Sequence, residues 1–296
     1  MFIGVDLGGT KIRAGLVDKN NKVVSVVEQP TQAKQGKKVV LNNLYAVIKK
    51  LNNSQVKGIG MASRGLVDFK AGLIREDDKL PRQFIGLKLC GLVNTQFKKP
   101  VYLDNDVNCF TLAEGLLGAG KGFDNVVGVT LGTGIGGGIL IKGSLYRGAV
   151  GGAAEFGKII LEPDWYDQSR GKWGTFESLG SGSAMSNLYK LKTGKKVGAK
   201  EVEERVYQEE HEAQAVFDEM SRYLALGLAN IINSLNPDLI VIGGGVGKVK
   251  VLVEPAIKLM PKYVAYNAMA KTSIKYAKLG PEAGLIGATL LCSEGK

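Results

Sequence analysis

Cysteine and histidine are scarce in this chain. Three cysteines, Cys90, Cys109 and Cys292, are scattered among 296 residues with no Cys-x-x-Cys spacing, and His211 is the only histidine. Scattered cysteines of this kind are typical of buried thiols in a reducing cytoplasm, and not of disulfides or a metal site. His211 stands in a run of glutamates that indicates a solvated helix face, so catalysis through histidine is not expected.

Long hydrophobic runs are also missing. No apolar stretch approaches the length of about twenty residues that a membrane-spanning helix needs, so no membrane span is predicted. The N-terminus lacks the basic segment of a signal peptide, which favours a cytoplasmic protein. The length and a hydrophobic content of 45% are sufficient for two domains, each with a core of its own.

Extended basic segments are absent, although the chain as a whole is basic. Lysine and arginine number 39 against 28 aspartates and glutamates, and the net charge of +11 would permit binding to a polyanion. The longest lysine clusters are pairs, such as Lys37-Lys38 and Lys195-Lys196, and they are spread along the chain. No nucleic-acid-binding function is therefore predicted.

Glycine is abundant, and its first cluster lies between two short apolar runs. Residues 2–17 form this stretch, in which Asp6 precedes Gly8 and Gly9, and Thr10 and Lys11 follow. The pattern predicts a β-hairpin. Glycines let a ligand approach the backbone closely, so that N–H groups can point at an anion. An ordinary hairpin without a ligand is the alternative reading of this stretch alone.

A second copy of this pattern begins at residue 127. Residues 127–134 repeat residues 3–10 position for position, with the turn Gly132, Thr133 and Gly134, and with Thr130 in place of Asp6. Gly136, Gly137 and Gly138 then lead into another apolar run. Such self-similarity indicates two copies of one supersecondary unit. Two facing hairpins would hold a polyphosphate from both sides, and Asp6 alone would hold a divalent metal, directly or through water. The Walker signature is absent.

Asp106 is the candidate catalytic residue. It follows an apolar strand at residues 101–103, and open α/β sheets bind their ligands at the carboxyl ends of strands. Phosphoryl transfer to an alcohol needs a carboxylate that can accept the hydroxyl proton, and the neighbouring Asn105 could hold a substrate hydroxyl. The alternative is that Asp104, Asn105 and Asp106 only cap the following helix.

Three further groups are candidates. Gly243, Gly244 and Gly245 follow a buried strand, and this third glycine turn is suited to a flat nucleobase or to tight helix packing. Glu155 and Glu177 stand in glycine-rich surroundings, where a carboxylate could accept hydrogen bonds from a polyol. The alternative reading of both glutamates is a solvated surface position.

Periodicity predicts a mixed α/β chain. Helices are predicted over residues 39–51, 108–117, 251–259 and 283–292, and two more over 201–236. Strands are predicted over residues 22–28, 56–61, 239–242 and 273–277. Residues 161–174 contain Pro163 and little periodicity, and are predicted to form a loop.

Together these motifs resemble those of the ROK family (repressor, open reading frame, kinase) of sugar kinases, in the actin-like ATPase superfamily. The motifs that carry the resemblance span nearly the whole chain: Gly4-Val5-Asp6-Leu7-Gly8-Gly9-Thr10-Lys11, Asn105-Asp106-Val107-Asn108 with Glu114, Leu131-Gly132-Thr133-Gly134-Ile135-Gly136-Gly137-Gly138, Glu155-Phe156-Gly157, Glu177 with Ser181-Gly182, and Gly243-Gly244-Gly245.

The resemblance implies an α/β fold of two ribonuclease-H-like lobes with a central cleft. The smaller lobe would comprise residues 1–117 and about 283–296, and the larger one 118–282. ATP and Mg²⁺ would bind with a sugar, and the family suggests a homodimer. Asp106 would be the general base. The implied sugar ligands are Gly65, Asn105, Asp106, Glu155, Lys158 and Glu177.

The sequence departs from the family pattern at three places. Lys158 stands where the family usually has histidine, and residues 165–176 lack the Cys-x-Cys-Gly-x-x-Gly-Cys motif that binds a structural zinc with it. Arg64-Gly65 replaces a Pro-Gly turn near the sugar. A zinc-free protein is therefore expected. Its loop would be held by the packing of four aromatic side chains, Trp165, Tyr166, Trp173 and Phe176.

The favoured hypothesis is an ATP- and magnesium-dependent hexokinase acting on glucose or a related hexose. A kinase for N-acetylmannosamine or N-acetylglucosamine is a second hypothesis, and a catalytically silent sugar sensor is a third. Asp6 and Asp106 argue against the sensor, because a pure binding protein needs neither a metal ligand nor a base. The family's repressors carry a helix-turn-helix before the first hairpin, which begins here at residue 2, so a repressor is not expected.

Overall fold

The computed structural model describes residues 1–167 and 172–294, the side chains of residues 165–167, 172, 173 and 294 excepted. The strands are β1 Phe2–Leu7, β2 Lys11–Val17, β3 Val23–Pro30, β4 Ile59–Ser63, β5 Leu66–Asp68, β6 Leu73–Glu76, β7 Val101–Asn105, β8 Asn125–Leu131, β9 Ile135–Ile141, β10 Ser144–Leu145, β11 Ile160–Asp167, β12 Lys172–Thr175, β13 Leu239–Gly243 and β14 Ser273–Tyr276. The helices are α1 Lys37–Leu51, α2 Leu89–Phe97, α3 Asp106–Leu116, α4 Phe176–Gly180, α5 Gly182–Thr193, α6 Ala199–Tyr207, α7 His211–Leu235, α8 Lys250–Leu259 and α9 Ala283–Glu294.

The two large sheets share one topology. The first has the strand order β3-β2-β1-β4-β7, and the second has the order β10-β9-β8-β13-β14. In the first sheet β1 pairs antiparallel with β2 and parallel with β4, which pairs parallel with β7. In the second sheet β13 lies parallel to both β8 and β14. The sequence repeat at residues 3–10 and 127–134 therefore corresponds to β1 and β8, the central strands of the two sheets, and to the turns that follow them.

The chain forms two compact units. The first comprises Met1–Gly122, Gly138–Ala153 and Lys278–Lys296, and the second comprises Phe123–Gly137 and Ala154–Ala277. Strand β9 begins in the second unit and ends in the first.

The core of the first unit lies where β1 and β2 meet α1. Ile3, Val5 and Leu7 of β1 are fully buried, as are Val40 and Leu44 of α1. The apolar residues of α1 recur at helical spacing, so one face of the helix packs on the sheet. All five residues of β4 are buried, as is common for a strand with parallel neighbours on both sides.

Most elements agree with the pattern of the sequence, but one prediction was wrong. Residues 161–174, expected to form a loop, contain most of the antiparallel pair β11 and β12. The pairing is irregular, with register shifts around residues 160–166, so no alternation marks it in the sequence. The side chains of Trp165, Tyr166 and Trp173, expected to hold this segment, lie outside the described part of the structure.

Cys109 and Cys292 are buried free thiols, whereas Cys90 is half-buried. Within residues 1–167 and 172–294, none of the helices has the length and apolar character needed to traverse a membrane.

Candidate active site

Asp6 lies near the end of β1, between two neighbouring strands of the first sheet. It is paired in register with Arg13 on β2 and with Ala62 on β4. Burial and, second, the negative charge of Asp106 raise the pKa of Asp6 to about 6, against the opposing effect of Arg13 and Lys11. Among the described residues no group donates a hydrogen bond to its carboxylate. A carboxylate that lies beside another negative charge and accepts no hydrogen bond is suited to bind a cation.

The turn that follows Asp6 is held by one backbone hydrogen bond and by two side chains. The amide of Gly8 donates to the carbonyl oxygen of Lys11 at 3.1 Å. The hydroxyl of Thr31 donates to the carbonyl of Gly8 at 2.6 Å. Lys79 packs against Gly9, so a side chain at that position would meet Lys79. These contacts fix the turn.

Two predicted phosphate-binding side chains of this turn face outward. Thr10 and Lys11 are exposed, and Nζ of Lys11 lies 3.0 Å from Oε2 of Glu28. An exposed ion pair of this kind is weak, about 1 kcal/mol or less, so Glu28 can release Lys11 to an anionic ligand.

The first turn of α3 separates the two roles that the sequence left open for Asn105 and Asp106. Asn105 is the N-cap, since its Oδ1 accepts hydrogen bonds from the amides of Val107 and Asn108 at 2.8 and 3.2 Å. Its Nδ2 donates to the carbonyl oxygen of Gly65 at 3.1 Å. Asp106 is the first helical residue, and its Oδ1 accepts from the amide of Val107 at 3.0 Å. The cap therefore does not depend on Asp106.

The carboxyl of Asp106 has a raised pKa because it is buried. The amide of Val107 and the positive charge of Arg64 act in the opposite direction and lower this pKa. Arg64 thus lies close enough to Asp106 to favour the ionised carboxylate, the form that can accept a proton.

Arg64 is itself held by two aspartates. Its Nε donates to Oδ2 of the buried Asp77 at 3.0 Å, and its Nη2 donates to Oδ1 of the exposed Asp78 at 2.8 Å. Gly65 has a φ of 84°, and a Cβ at this position would overlap the carbonyl oxygen of Glu76. Only glycine fits this turn.

The second glycine turn, in the second unit, is held by the start of a helix. The amide of Gly132 donates to the carbonyl of Gly134 at 2.9 Å. The first amides of α5, those of Gly182 and Ser183, donate to the carbonyls of Gly132 and Thr133 at 2.8 and 3.2 Å. Unlike the first turn, this one lies directly against a helix N-terminus.

Glu177 and Lys158 are paired in the second unit. Nζ of Lys158 lies 2.9 Å from Oε1 of Glu177, and the amide of Ile135 donates to Oε2 of Glu177 at 3.0 Å. A side chain at Gly134 would overlap the same carboxylate. Lys158, expected as a sugar ligand, is therefore paired with a carboxylate in this structure. Glu155 is exposed and precedes the short 3₁₀ turn Phe156–Lys158.

The third glycine turn leads into a cavity of about 610 Å³ in the second unit. Gly243 is buried at the end of β13, and Gly244 has a φ of 85° with no room for a Cβ beside the carbonyl of Leu131. The cavity is lined by Gly132, Thr133, Gly182, Ser183, Met185, Ser186, Ala199, Lys200, Glu203, Gly245, Val246 and Val249.

The structure thus brings the predicted residues together in two groups. The first unit holds the first glycine turn, Asp6, Gly65, Asn105 and Asp106; the second unit holds the other glycine turns, Glu155, Lys158 and Glu177. Gly136 lies half-buried within β9 and does not line the cavity.

Sequence reasoning missed several residues of these groups. Asp77 holds Arg64 from a segment with no periodic pattern, so only the fold reveals it. Lys200 and Glu203 reach the cavity from α6, whose charged residues indicate only a solvated helix face. Ser183 could have been found, because it directly follows Ser181 and Gly182, two of the residues that carry the resemblance to the ROK family.

The profile of the ROK family matches residues 2–294. The chain belongs to the ROK family. It is 30% identical to a glucokinase from Thermotoga maritima, over 99% of this chain and 97% of the relative. It is also 30% identical to an N-acetyl-D-glucosamine kinase from Mannheimia succiniciproducens, over 98% and 99% of the two chains.

A solved ROK structure confirms the fold. The ROK family glucokinase from Streptomyces griseus, in complex with glucose and AMPPNP, is 30% identical and superimposes with a TM-score of 0.83, covering 99% of each chain. The predicted fold class, α/β with two actin-like ATPase lobes, is therefore correct. Among the described residues of this ROK protein, no group of three or more His, Cys, Asp or Glu could hold a metal ion.

Proposed function

We propose that this protein is an ATP- and magnesium-dependent sugar kinase that transfers the γ-phosphoryl group to a hydroxyl of a hexose, glucose or a close relative. The observation that carries the proposal is the division of roles at the start of α3. Asn105 caps the helix, which leaves Asp106 as a half-buried carboxylate whose hydrogen bond from the amide of Val107 duplicates a bond already made to Asn105. A pure binding protein would have no need of such a group.

In this proposal Asp106 accepts the proton of the attacking hydroxyl. General-base catalysis contributes about 10²- to 10⁴-fold to a rate when the base is ionised and correctly placed. Arg64, held by Asp77 and Asp78, supplies the positive charge that opposes the burial of Asp106. Activity should therefore fall when the pH drops below the raised pKa of Asp106.

Asp6 would hold magnesium, directly or through water. The residues present fit the ion, because the Asp6 carboxylate is half-buried, accepts no hydrogen bond among the described residues and is destabilised by the neighbouring charge of Asp106. When bound, magnesium neutralises charge that develops between the β- and γ-phosphates. Gly8, Gly9, Thr10 and Lys11 would face the phosphates.

The nucleotide would occupy the cavity of the second unit. Its volume, about 610 Å³, is within the range of small-molecule sites, roughly 300–1,000 Å³. Gly132, Thr133 and Gly134 would lie against the phosphates, and Gly243, Gly244 and Gly245 would allow the flat base to approach the backbone. The amides of Gly182 and Ser183 already donate to this turn, so they stabilise its shape.

Sugar recognition is assigned to both units. In the first, Asn105 and the Arg64-Gly65 turn are linked by the hydrogen bond from Nδ2 of Asn105 to Gly65. In the second, Glu155, Lys158 and Glu177 offer charged groups, of which Lys158 and Glu177 hold each other in place. An N-acetylhexosamine is the second candidate substrate, because relatives of equal identity carry the names glucokinase and N-acetyl-D-glucosamine kinase. A homodimer, a cytoplasmic location and the absence of zinc stay predictions.

A coupled ADP-release assay over glucose, other hexoses and N-acetylhexosamines tests the proposal. We expect magnesium-dependent turnover with at least one of these sugars and a strong preference within the panel. The matched control is Asp106→Ala, which should bind sugar and ATP but release almost no ADP. Absence of turnover with every sugar would refute the kinase function, and a preference for an N-acetylhexosamine would select the second substrate class.

A further inference from the structure

Asp104 is a buried carboxylate for which the proposed chemistry has no use. Only 2% of the residue is exposed, and it lies at the end of β7, one residue before the N-cap Asn105. Its Oδ1 accepts hydrogen bonds from the amide of Asn105 at 2.7 Å and from Nδ2 of Asn108 at 2.8 Å. Both donors belong to the first turn of α3, which carries Asp106.

The other oxygen of this carboxylate is bound by an arginine from a distant part of the chain. Nε of Arg147 donates to Oδ2 of Asp104 at 2.6 Å, and both side chains are largely buried, with exposed fractions of 14% and 3%. The guanidinium carbon of Arg147 lies 4.4 Å from the centre of the Phe69 ring. Stacking and the ion pair together fix the plane of the guanidinium.

A continuous set of hydrogen bonds therefore connects Arg147 with the proposed acceptor site. Arg147 orients Asp104, which holds the backbone amide of Asn105. Asn105 in turn accepts hydrogen bonds from the amides of Val107 and Asn108. Asp106 lies in the chain between Asn105 and these two residues. Three of these bonds are donated by the backbone amides of Asn105, Val107 and Asn108, so a shift of the Asp104 carboxylate would move the N-cap and the turn that carries Asp106.

We infer that Asp104 and Arg147 are positioning residues, a buried ion pair that sets the place of Asn105 and Asp106 for phosphoryl transfer. The inference rests on the proposed kinase function. Stability alone does not account for the pair, because a buried ion pair is often no more stabilising than apolar residues of similar size. What it provides is direction: three hydrogen bonds, from Asn105, Asn108 and Arg147, fix the carboxylate of Asp104 directly before the N-cap.

The test compares Arg147→Lys, Arg147→Met and Asp104→Asn with a control ion pair of the same unit. Asp68 and Arg75 are paired, and among the described hydrogen bonds and ion pairs none joins either side chain to the first turn of α3, so Arg75→Met is the matched control. For each folded variant, steady-state kinetics give kcat and the KM values for sugar and ATP. Amide hydrogen exchange of a peptide spanning residues 104–108 reports the geometry without turnover.

We expect Arg147→Met and Asp104→Asn to lower kcat by about tenfold or more, with the KM for ATP within about threefold of wild type. Arg147→Lys should restore part of kcat, since it keeps the charge without the fork of the guanidinium. Exchange in residues 104–108 should be about tenfold faster in Arg147→Met and unchanged in Arg75→Met.

Two results would overturn the inference. One is kcat within about twofold of wild type in folded Arg147→Met or Asp104→Asn. The other is exchange in residues 104–108 that is no faster than in Arg75→Met. If wild-type protein phosphorylates none of the sugars, the kinase function fails instead, and the exchange data still decide whether the ion pair holds Asn105. If Asp104→Asn does not fold, the two Arg147 variants carry the test.

Discussion

The two glycine turns occupy the same position in two sheets of the same topology, yet their surroundings differ. The first follows a strand with the carboxylate Asp6, and side chains hold it: the Thr31 hydroxyl bonds to Gly8, and Lys79 packs on Gly9. No helix N-terminus donates to this turn among the described contacts.

The second turn follows a strand with Thr130 at the matching position, and backbone amides of α5 hold it. It opens on a cavity of about 610 Å³ that the third glycine turn also reaches. A repeated sequence therefore predicts a repeated backbone, but it does not predict the surroundings of each copy. One copy carries a carboxylate, and the other lies beside a cavity.

The largest effect is expected in the first unit, which carries the carboxylates Asp6 and Asp106. Asp106→Ala should lower kcat by about 10³-fold, because the base acts mainly in the transition state. The fold should survive, since Asn105 keeps the cap of α3. Kinetics and calorimetric titration with sugar measure the two properties separately. Turnover within about tenfold of wild type, or a loss of sugar binding equal to the loss of turnover, would contradict the assignment.

The second prediction compares the matched positions of the two copies. Asp6→Asn should raise the magnesium concentration needed for half-maximal rate and lower kcat by about 10²-fold, because it removes a charged metal ligand. Thr130→Ala, the same position in the other copy, should leave the magnesium dependence unchanged. Equal magnesium dependence in both variants and wild type would mean that Asp6 has a structural role only.

The Asp6→Asn variant should also be more stable than wild type near neutral pH. The pKa of Asp6 is raised from 3.8 to about 6, so its favourable contribution is complete below 3.8 and is lost as the pH rises through 6. Asp6→Asn should therefore increase the free energy of unfolding at about pH 7.5 by roughly 1–3 kcal/mol. The difference should shrink as the pH falls below about 4. Denaturant unfolding at both pH values measures it, and a destabilised Asn variant at neutral pH would contradict it.

The third prediction concerns the third glycine turn, which lies beside the cavity of the second unit. Gly244→Ala places a Cβ where φ is 85° and where the backbone of Leu131 leaves no room. The glycine turn should shift and raise the KM for ATP by about tenfold, with little change in sugar affinity. Gly198→Ala is the control, because a Cβ there has open space and φ is negative. A similar effect on the KM values for ATP and sugar would exclude a nucleotide-specific role for the turn.

The smallest effect is expected for Lys158→Ala. Lys158 is 55% exposed and its ion pair with Glu177 should contribute about 1 kcal/mol or less. Sugar affinity should fall by at most about fivefold, and the KM for ATP should not change. Isothermal titration with sugar, beside steady-state kinetics with ATP, checks this. An equal change for both ligands would place Lys158 outside sugar recognition.

The strands and helices that matched were those with clear periodicity or caps. The apolar residues of α1 recur on one face, and the run of β13 is fully buried, so both are local properties of the sequence. Strands β11 and β12 were missed because bulged pairing leaves no alternation. Helix α3 begins two residues before its predicted start, because Asn105 and not Asp106 is its cap.

The candidate site divides in the same way. Asp6, Asn105, Asp106 and the glycine turns follow from their order along the chain, since glycines and polar residues at strand ends mark ligand sites without knowledge of the fold. The partners of these residues do not follow from it. Arg147 lies 43 positions from Asp104, which it binds, and no local pattern links the two.

What the sequence by itself determined is the set of strands, the duplicated glycine turn and the family to which the chain belongs, because hydrophobic period and turn chemistry are local. Only the tertiary structure decided which charges meet. Asp6 lies on β1 and Asp106 at the start of α3, and burial and, second, the negative charge of Asp106 raise the pKa of Asp6. Lys158 pairs with Glu177, 19 positions along the chain, and Arg64 pairs with Asp77, 13 positions along the chain. Electrostatic interaction depends on distance and burial in space, and neither is a property of spacing along the chain.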